Sequence, residues 1–307
     1  MRLEQALPCF KALADSTRLR LLYILLSREL NVNELVSILE MGQSRISRHL
    51  KILADSGLIR SRRDGLWVFY TAARTGPAEP ILNSLQGLMD HDPTVQRDLA
   101  LAEKVISEGG DAVRKFFDRI AHDWDSLNKD ILGDFDIGRE ILRRTPKCLT
   151  AADLGCGSGL MMVHLATRAE LVIGVDASFK MLDVARGRFS SNPNAVSLRV
   201  GNMDNLPIRD AEADFALISM VLHHLLHPEN GVREAFRILK KGGVFLVVDF
   251  LSHANEMMRT RYGDRRLGLG QEELESWLSA AGFEISEISH FPVNQGLTVQ
   301  LLTCLKQ

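Results

Sequence analysis

Cysteine is scarce in this chain, and the four present, Cys9, Cys148, Cys156 and Cys304, form no C-x-x-C or C-x-C pair. Scattered cysteines argue against a structural zinc site and fit a reduced compartment. Long apolar runs are missing too. No window approaches the ~18 uninterrupted apolar residues of a membrane span. The N-terminus lacks the basic-then-apolar pattern of a signal peptide. The expectation is a cytoplasmic protein with no membrane partner. An apolar content of 46% and a charged content of 25% leave no case for a disordered chain. At 307 residues, two domains are the default.

Net charge is also low, at −2, but it is unevenly divided. Residues 1–75 hold 12 Lys+Arg against 7 Asp+Glu, a balance of +5, so the remainder carries −7. A small basic part joined to a large acidic one suggests that only the first meets nucleic acid. Within it, Leu3, Leu7, Phe10 and Leu13 recur at helical spacing and predict one apolar face. Asp15 or Ser16 can cap a second helix, Thr17 to Ser27, and Val32 to Leu39 reads as a third. After Gly42, the run Gln43 to Leu53 predicts a fourth helix with Ile46, Leu50 and Leu53 inward. Gln43, Ser44, Arg45, Ser47, Arg48 and Lys51 are left outside, and all are hydrogen-bond donors. Donors near a helix start and cations along it suit base edges and phosphates. A merely solvated helix face is the alternative. Leu58 to Tyr70 alternates around Asp64-Gly65, a hairpin signal that places Arg62 and Arg63 near a tip able to touch a DNA backbone.

The strings Lys11-Ala-Leu-Ala-Asp-Ser-Thr-Arg-Leu-Arg-Leu-Leu, Gln43 to Leu53 and Gly57 to Tyr70 together resemble the ArsR/SmtB family of winged helix-turn-helix repressors. The resemblance covers this domain. It implies a homodimer that reads a palindromic, double-stranded operator and releases it when an inducer binds. The family's arsenic sensors carry a cysteine pair at the start of the third helix, where this chain has Asn33-Glu-Leu-Val-Ser-Ile-Leu. The zinc sensors use His and acid ligands on the last helix, of which His91 between Asp90 and Asp92 is a thin echo. The reading therefore assigns no metal ligands.

Residues 76–112 read as a helical connector between Gly76-Pro77 and Gly109-Gly110. Ile81, Leu82, Leu85, Leu88 and Met89 form one apolar stripe, and Val95, Leu99, Ala102 and Ile106 another. Such stripes need a partner surface, either a second copy or the chain itself. The family resemblance favours the second copy.

The stretch Leu149-Thr-Ala-Ala-Asp-Leu-Gly-Cys-Gly-Ser-Gly159 reads as an apolar strand ending in an acid, then a glycine-rich turn opening a helix. Glycine serves where φ is positive or a ligand meets backbone. A helix start adds unpaired N–H groups that favour anionic or polar groups. Gly155, Gly157 and Gly159 bring the third glycine one position earlier than the dinucleotide fingerprint does. Asp176 closes the next strand, where its carboxylate can accept from two ribose hydroxyls. The full string, with Asp153 and Asp176, resembles motif I and its acidic partner in the class I S-adenosylmethionine-dependent methyltransferases. Four motifs occur in order, and the likeness covers nearly all of 113–307. It implies an α/β, Rossmann-like domain with a mostly parallel seven-stranded sheet behind the winged helix.

The same resemblance assigns the cofactor site, for S-adenosylmethionine or S-adenosylhomocysteine. Phe117 and Trp124 lie in a lead-in segment that covers the cofactor in relatives, with ordinary core packing as the alternative. Ala177 and Met181 follow Asp176, and Met181 is expected against the adenine. Asn202 stands where relatives have an aspartate that accepts from the adenine amino group, and the Met203 N–H would reach the ring. Ser219 and His224 end the fourth strand, facing the sulfonium and the acceptor. His223, His224, His253 and Tyr262 are candidate catalytic groups by position only, since loop histidines are as often structural. The favoured function is a dimeric regulator with a methyltransferase active on a small molecule. The alternatives are a sensor of the cofactor without turnover, and a metalloregulator with an incidental second domain.

Overall fold

The computed structural model describes residues 3–64, 67–85, 87–191 and 195–307, in two units that divide at Gly110. In the first, α1 (Leu3–Leu13) and α2 (Ser16–Ser27) precede a short strand β1 (Leu30–Asn31), α3 (Val32–Leu39) and α4 (Gln43–Asp55). The hairpin strands β2 (Ile59–Asp64) and β3 (Trp67–Ala72) follow, then α5 (Glu79–Leu85) and α6 (Pro93–Ile120). The strands lie in the order β1-β3-β2, all antiparallel. Local chemistry sets the helix starts. Asp15 caps α2 by accepting from the Arg18 N–H at 3.0 Å, and Asn31 with Glu34 forms a reciprocal capping box on α3. Ile46, Leu50 and Leu53 of α4 enter a core made with α2, α3 and β2.

On α1 the inward residues are Cys9 and Ala12, while Phe10 is 59% exposed and Leu7 is exposed beside it, so the apolar face read from the spacing is turned outward. The Gly109-Gly110 pair does not end a helix, since α6 spans Pro93–Ile120, but the two units divide there. Of the connector stripes, Leu82, Val95 and Ala102 are buried in the first unit's own core, whereas Leu88 lies beyond α5 and is 72% exposed. Gly65 and the side chains of Leu3 and Ile106 lie outside the described residues.

The second unit opens with the end of α6, α7 (Trp124–Leu132) and α8 (Ile137–Arg144). A βα series follows: β4 (Cys148–Leu154), α9 (Leu160–Leu165), β5 (Ala169–Asp176), α10 (Phe179–Arg188), β6 (Val196–Val200) and β7 (Ala213–Ser219). It continues through α11 (Pro228–Ile238), β8 (Leu239–Phe250), α12 (Met257–Tyr262) and α13 (Gln271–Ala281), and closes with β9 (Phe283–Pro292) and β10 (Thr298–Lys306). The seven-stranded sheet has the order β6-β5-β4-β7-β8-β10-β9. Its first five members are parallel and the closing hairpin is antiparallel. Buried side chains form a separate core cluster on each sheet face, which is why β5 and β7 read as near-continuous apolar runs. The chain starts at the central β4 and winds first to β5, later to β7. The carboxyl ends of these three strands therefore flank a topological switch point, where such sheets bind ligands.

Candidate functional site

The turn after β4 is built on three glycines in the left-handed region, Gly155 (φ 78°), Gly157 (φ 51°) and Gly159 (φ 77°). Their roles differ. A Cβ on Gly155 would sit 2.4 Å from Val221 Cγ2, and one on Gly159 2.9 Å from Ala185 Cβ. These two let the turn pack against its own scaffold. A Cβ on Gly157 would meet nothing nearer than Trp124 Nε1 at 3.7 Å, so the bare backbone here faces space. We expect Gly155→Ala to cost about 2–4 kcal/mol in urea melts, combining left-handed strain with overpacking. Gly157→Ala should cost only the strain, about 1–2 kcal/mol, while reducing cofactor affinity.

Two carboxylates back the turn. Asp176 at the end of β5 accepts from the Gly157 N–H through Oδ2 and from the Ser178 N–H through Oδ1, both at 2.8 Å. Burial raises its pKa against the pull of those backbone donors. Asp153, at 2% exposure, has an Oδ2 with no hydrogen-bond partner. Burial first, and the charge of Asp176 second, push its pKa to about 7. The folded chain thus holds a proton that the unfolded chain, with an ordinary aspartate near ~4, has released. Stability from this group falls as pH rises from about 4 to 7. Asp153→Asn should flatten that fall, leaving the variant the more stable protein at pH 8, as thermal melts at pH 5 and pH 8 would show.

The lead-in segment lies over the turn and is latched to it. Phe117 and Trp124 stack edge to face with centroids 5.2 Å apart, and Phe117 meets the His224 ring at 4.9 Å. The Ser178 hydroxyl donates to Asp118 at 2.5 Å and the Ser158 hydroxyl to Asp125 at 2.6 Å. Arg188 pairs with Asp125 and also donates to the Ser158 carbonyl at 2.7 Å. Asp118, Asp125, Ser158, Ser178 and Arg188 escaped the sequence reading. Their signal was a serine within each of two motifs, Gly-Ser-Gly and Asp-Ala-Ser, but their acid partners stand far off in sequence.

The remaining assignments divide. Ala177 is exposed beside Asp176, but Met181 is 1% exposed and belongs to the core. It offers no face to an adenine, which corrects the expectation. The α10 register turns Met181 inward and leaves Phe179 outside. Asn202 is exposed and its Oδ1 accepts from the Asn205 N–H at 3.1 Å, folding its own turn. The Met203 side chain is buried. Ser219 is half-buried at the end of β7, just before Met220, a non-glycine residue at φ 56°.

The candidate bases lie deep. His223 Nδ1 is 2.5 Å from Asp249 Oδ1, and its Nε2 is 3.5 Å from Asp264 Oδ1. Burial pushes its pKa down, yet the two carboxylates outweigh that and raise it to about 9. His223 is thus closed between two acids in the interior, with neither ring nitrogen turned to a substrate. His224 Nδ1 approaches the Gly263 carbonyl at 3.2 Å, and burial together with His223 pushes its pKa well below the ordinary value. His253 is half-buried and serves its own loop, accepting from the Asn255 N–H at 3.2 Å. The Tyr262 hydroxyl is buried without a partner.

In the first unit, Gln43, Ser44, Arg45, Ser47, Arg48 and Lys51 are all exposed along one side of α4, and Arg63 is exposed on β2. Arg62 is not available to a phosphate. It forms ion pairs at 3.0 Å with Glu29 and Asp64 and lies over the Phe69 ring. A strand pointing alternate residues to opposite faces puts only Arg63 outward.

A family model described as a methyltransferase domain matches residues 152–247. The chain is 32% identical over 158 residues to 2-phytyl-1,4-naphtoquinone methyltransferase of a Nostoc species, covering 48% of this chain and 69% of that protein. The chain belongs to the S-adenosylmethionine-dependent methyltransferase family. A second model, for bacterial regulatory proteins of the arsR family, matches residues 15–61. There the chain is 44% identical over 71 residues to the transcriptional activator HlyU of Vibrio cholerae, covering 23% of this chain and 66% of that protein. The SpnF cyclase superposes with a TM-score of 0.55 at 18% identity, over 63% of this chain and 94% of that one, and so shares the fold. The chain spans 28–65% of the length of the first curated relatives it matches. On this chain, an arsR-family region therefore precedes the methyltransferase domain. The open backbone at Gly157 and the unpartnered Asp153 Oδ2 fit the family's cofactor.

Proposed function

We propose that the protein is a homodimeric transcriptional regulator that binds S-adenosylmethionine and transfers its methyl to a small molecule. The observation that carries the reading is the left-handed glycine turn, open only at Gly157 and bracketed by Asp153 and Asp176. When bound, the cofactor supplies an electrophilic methyl on a sulfonium. Asp176 would hold the ribose hydroxyls with its remaining lone pairs, and Asn202 with the Met203 N–H the adenine. Phe117 and Trp124 would exclude water and restrict the donor, where correct alignment is worth ~7–11 kcal/mol. Ser219 and the neutral His224 are the polar groups nearest that end of β7. The exposed face of α4 would enter a major groove, with Arg63 on the flanking backbone. Leu7 and Phe10 give apolar surface to a second copy. A regulator of this kind works where the DNA is, in the cytoplasm.

Calorimetry with S-adenosylmethionine and S-adenosylhomocysteine tests the reading. Binding of either supports it, and a folded protein giving no heat with both overturns it.

One observation favours a second reading, a sensor without turnover. His223 is consumed by its two acids, and His224 and Tyr262 are buried. Single-turnover assays beside operator affinity with each cofactor form separate the two. A sensor shows no transfer but binds DNA differently with the two forms, as linkage requires.

A further inference from the structure

A group of side chains from three separate segments meets below the carboxyl ends of β7 and β8. His223 and His224 come from a 3-10 turn at Leu222–His224, Asp249 from β8, and Asp264 from just after α12. All four are buried. One donor atom each of His223, His224 and Asp264 lies within 4.8 Å of the others. His223 Nε2 and Asp264 Oδ1, 3.5 Å apart, already stand at the spacing of two ligands on one ion, ~3.3 Å for tetrahedral bonds near 2 Å.

The surroundings contain buried polar atoms that the protein does not satisfy. His224 uses Nδ1 on the Gly263 carbonyl, and its Nε2 has no hydrogen-bond partner. Asp249 Oδ2 and the Tyr262 hydroxyl have none either. Buried groups left so call for an ion or ordered water. The donor set selects between them. Two imidazole nitrogens and one carboxylate are the ligands of borderline divalent metals, with the fourth position left open. Asp249 adds the usual support of such a site, a carboxylate bonded to the far nitrogen of a ligating histidine.

We propose that His223 Nε2, His224 Nε2 and Asp264 bind one divalent transition-metal ion of the zinc type, with Asp249 orienting His223 from behind. The site uses none of the residues of the glycine turn, and shares only His224 with the pocket beside it. It lies in the methyltransferase unit. The four cysteines take no part.

Metal loading of the full chain tests this. After incubation with Zn²⁺ and gel filtration, elemental analysis should find one equivalent per chain, and Co²⁺ in its place should give visible absorption. X-ray absorption on the zinc-loaded wild-type protein should read two imidazole nitrogens and an oxygen. Asp264→Asn and His224→Gln should each abolish retention, and Asp249→Asn should weaken it about 10- to 100-fold. Circular dichroism and thermal melts on the same samples report whether each variant is folded. Wild-type protein that retains no metal overturns the proposal and leaves the cluster a protonated His223 bridge with buried water. So does a sulfur-containing ligand shell, or folded variants that retain metal like the wild type.

Discussion

Asp176→Ala should weaken S-adenosylmethionine binding about 100- to 1,000-fold. Each ribose hydroxyl donating to a carboxylate is worth ~1.5–3 kcal/mol, and two such bonds, partly offset by water, give ~3–4 kcal/mol, or that range in dissociation constant. The substitution also strips the acceptors from the Gly157 and Ser178 N–H groups, so the turn loses its support along with the ligand. Asp176→Asn separates the contributions. It keeps an acceptor but not the charge, and should fall between wild type and alanine. Calorimetry on protein shown to be folded by circular dichroism reads the effect. An unchanged constant for the alanine variant would remove the turn from the binding site.

The second large effect belongs to the other unit. Arg45→Ala with Arg48→Ala should lower operator affinity at least about 100-fold, since each guanidinium contact to a base edge is worth ~1–3 kcal/mol. A change confined to phosphate contacts would instead lower affinity evenly across sequences and cut the salt dependence by about one per contact. Anisotropy titrations at several salt concentrations distinguish these. Arg62→Ala is the contrasting case. Its partners are Glu29 and Asp64, so the salt dependence of DNA binding should stay as it is while the hairpin loosens. A drop in salt dependence with Arg62→Ala would return that residue to the DNA interface.

Several features could be read directly because the chemistry that sets them is local. The cap of α2, taken by Asp15 rather than Ser16, and the positive φ values of the three turn glycines are decided within a few residues. So is the facing of α4, whose period puts Ile46, Leu50 and Leu53 under a row of donors. The mostly parallel sheet was legible only through the resemblance to the methyltransferases. The misreadings have another source. Met181 against Phe179, and Arg62 against Arg63, are choices between neighbours with similar local preference. Each was settled by the folded surroundings: the burial of one side of α10, or Glu29 on another element. Asp264 could not have been joined to His223 from spacing, because nothing local to either residue points to the other.

By itself, then, the amino-acid order determined the first helices and the hairpin of the first unit and where the glycine turn falls. Those outcomes rest on backbone preference and side-chain periodicity, which act over a turn or two, while the two families were legible as resemblances of whole motifs. Only the tertiary structure decided which charges meet, which polar atoms are left without partners, and that burial raises the pKa of Asp153 while two carboxylates raise that of His223. A side chain's ionisation depends on the water it has lost and the charges brought beside it, and both are properties of the folded chain's path.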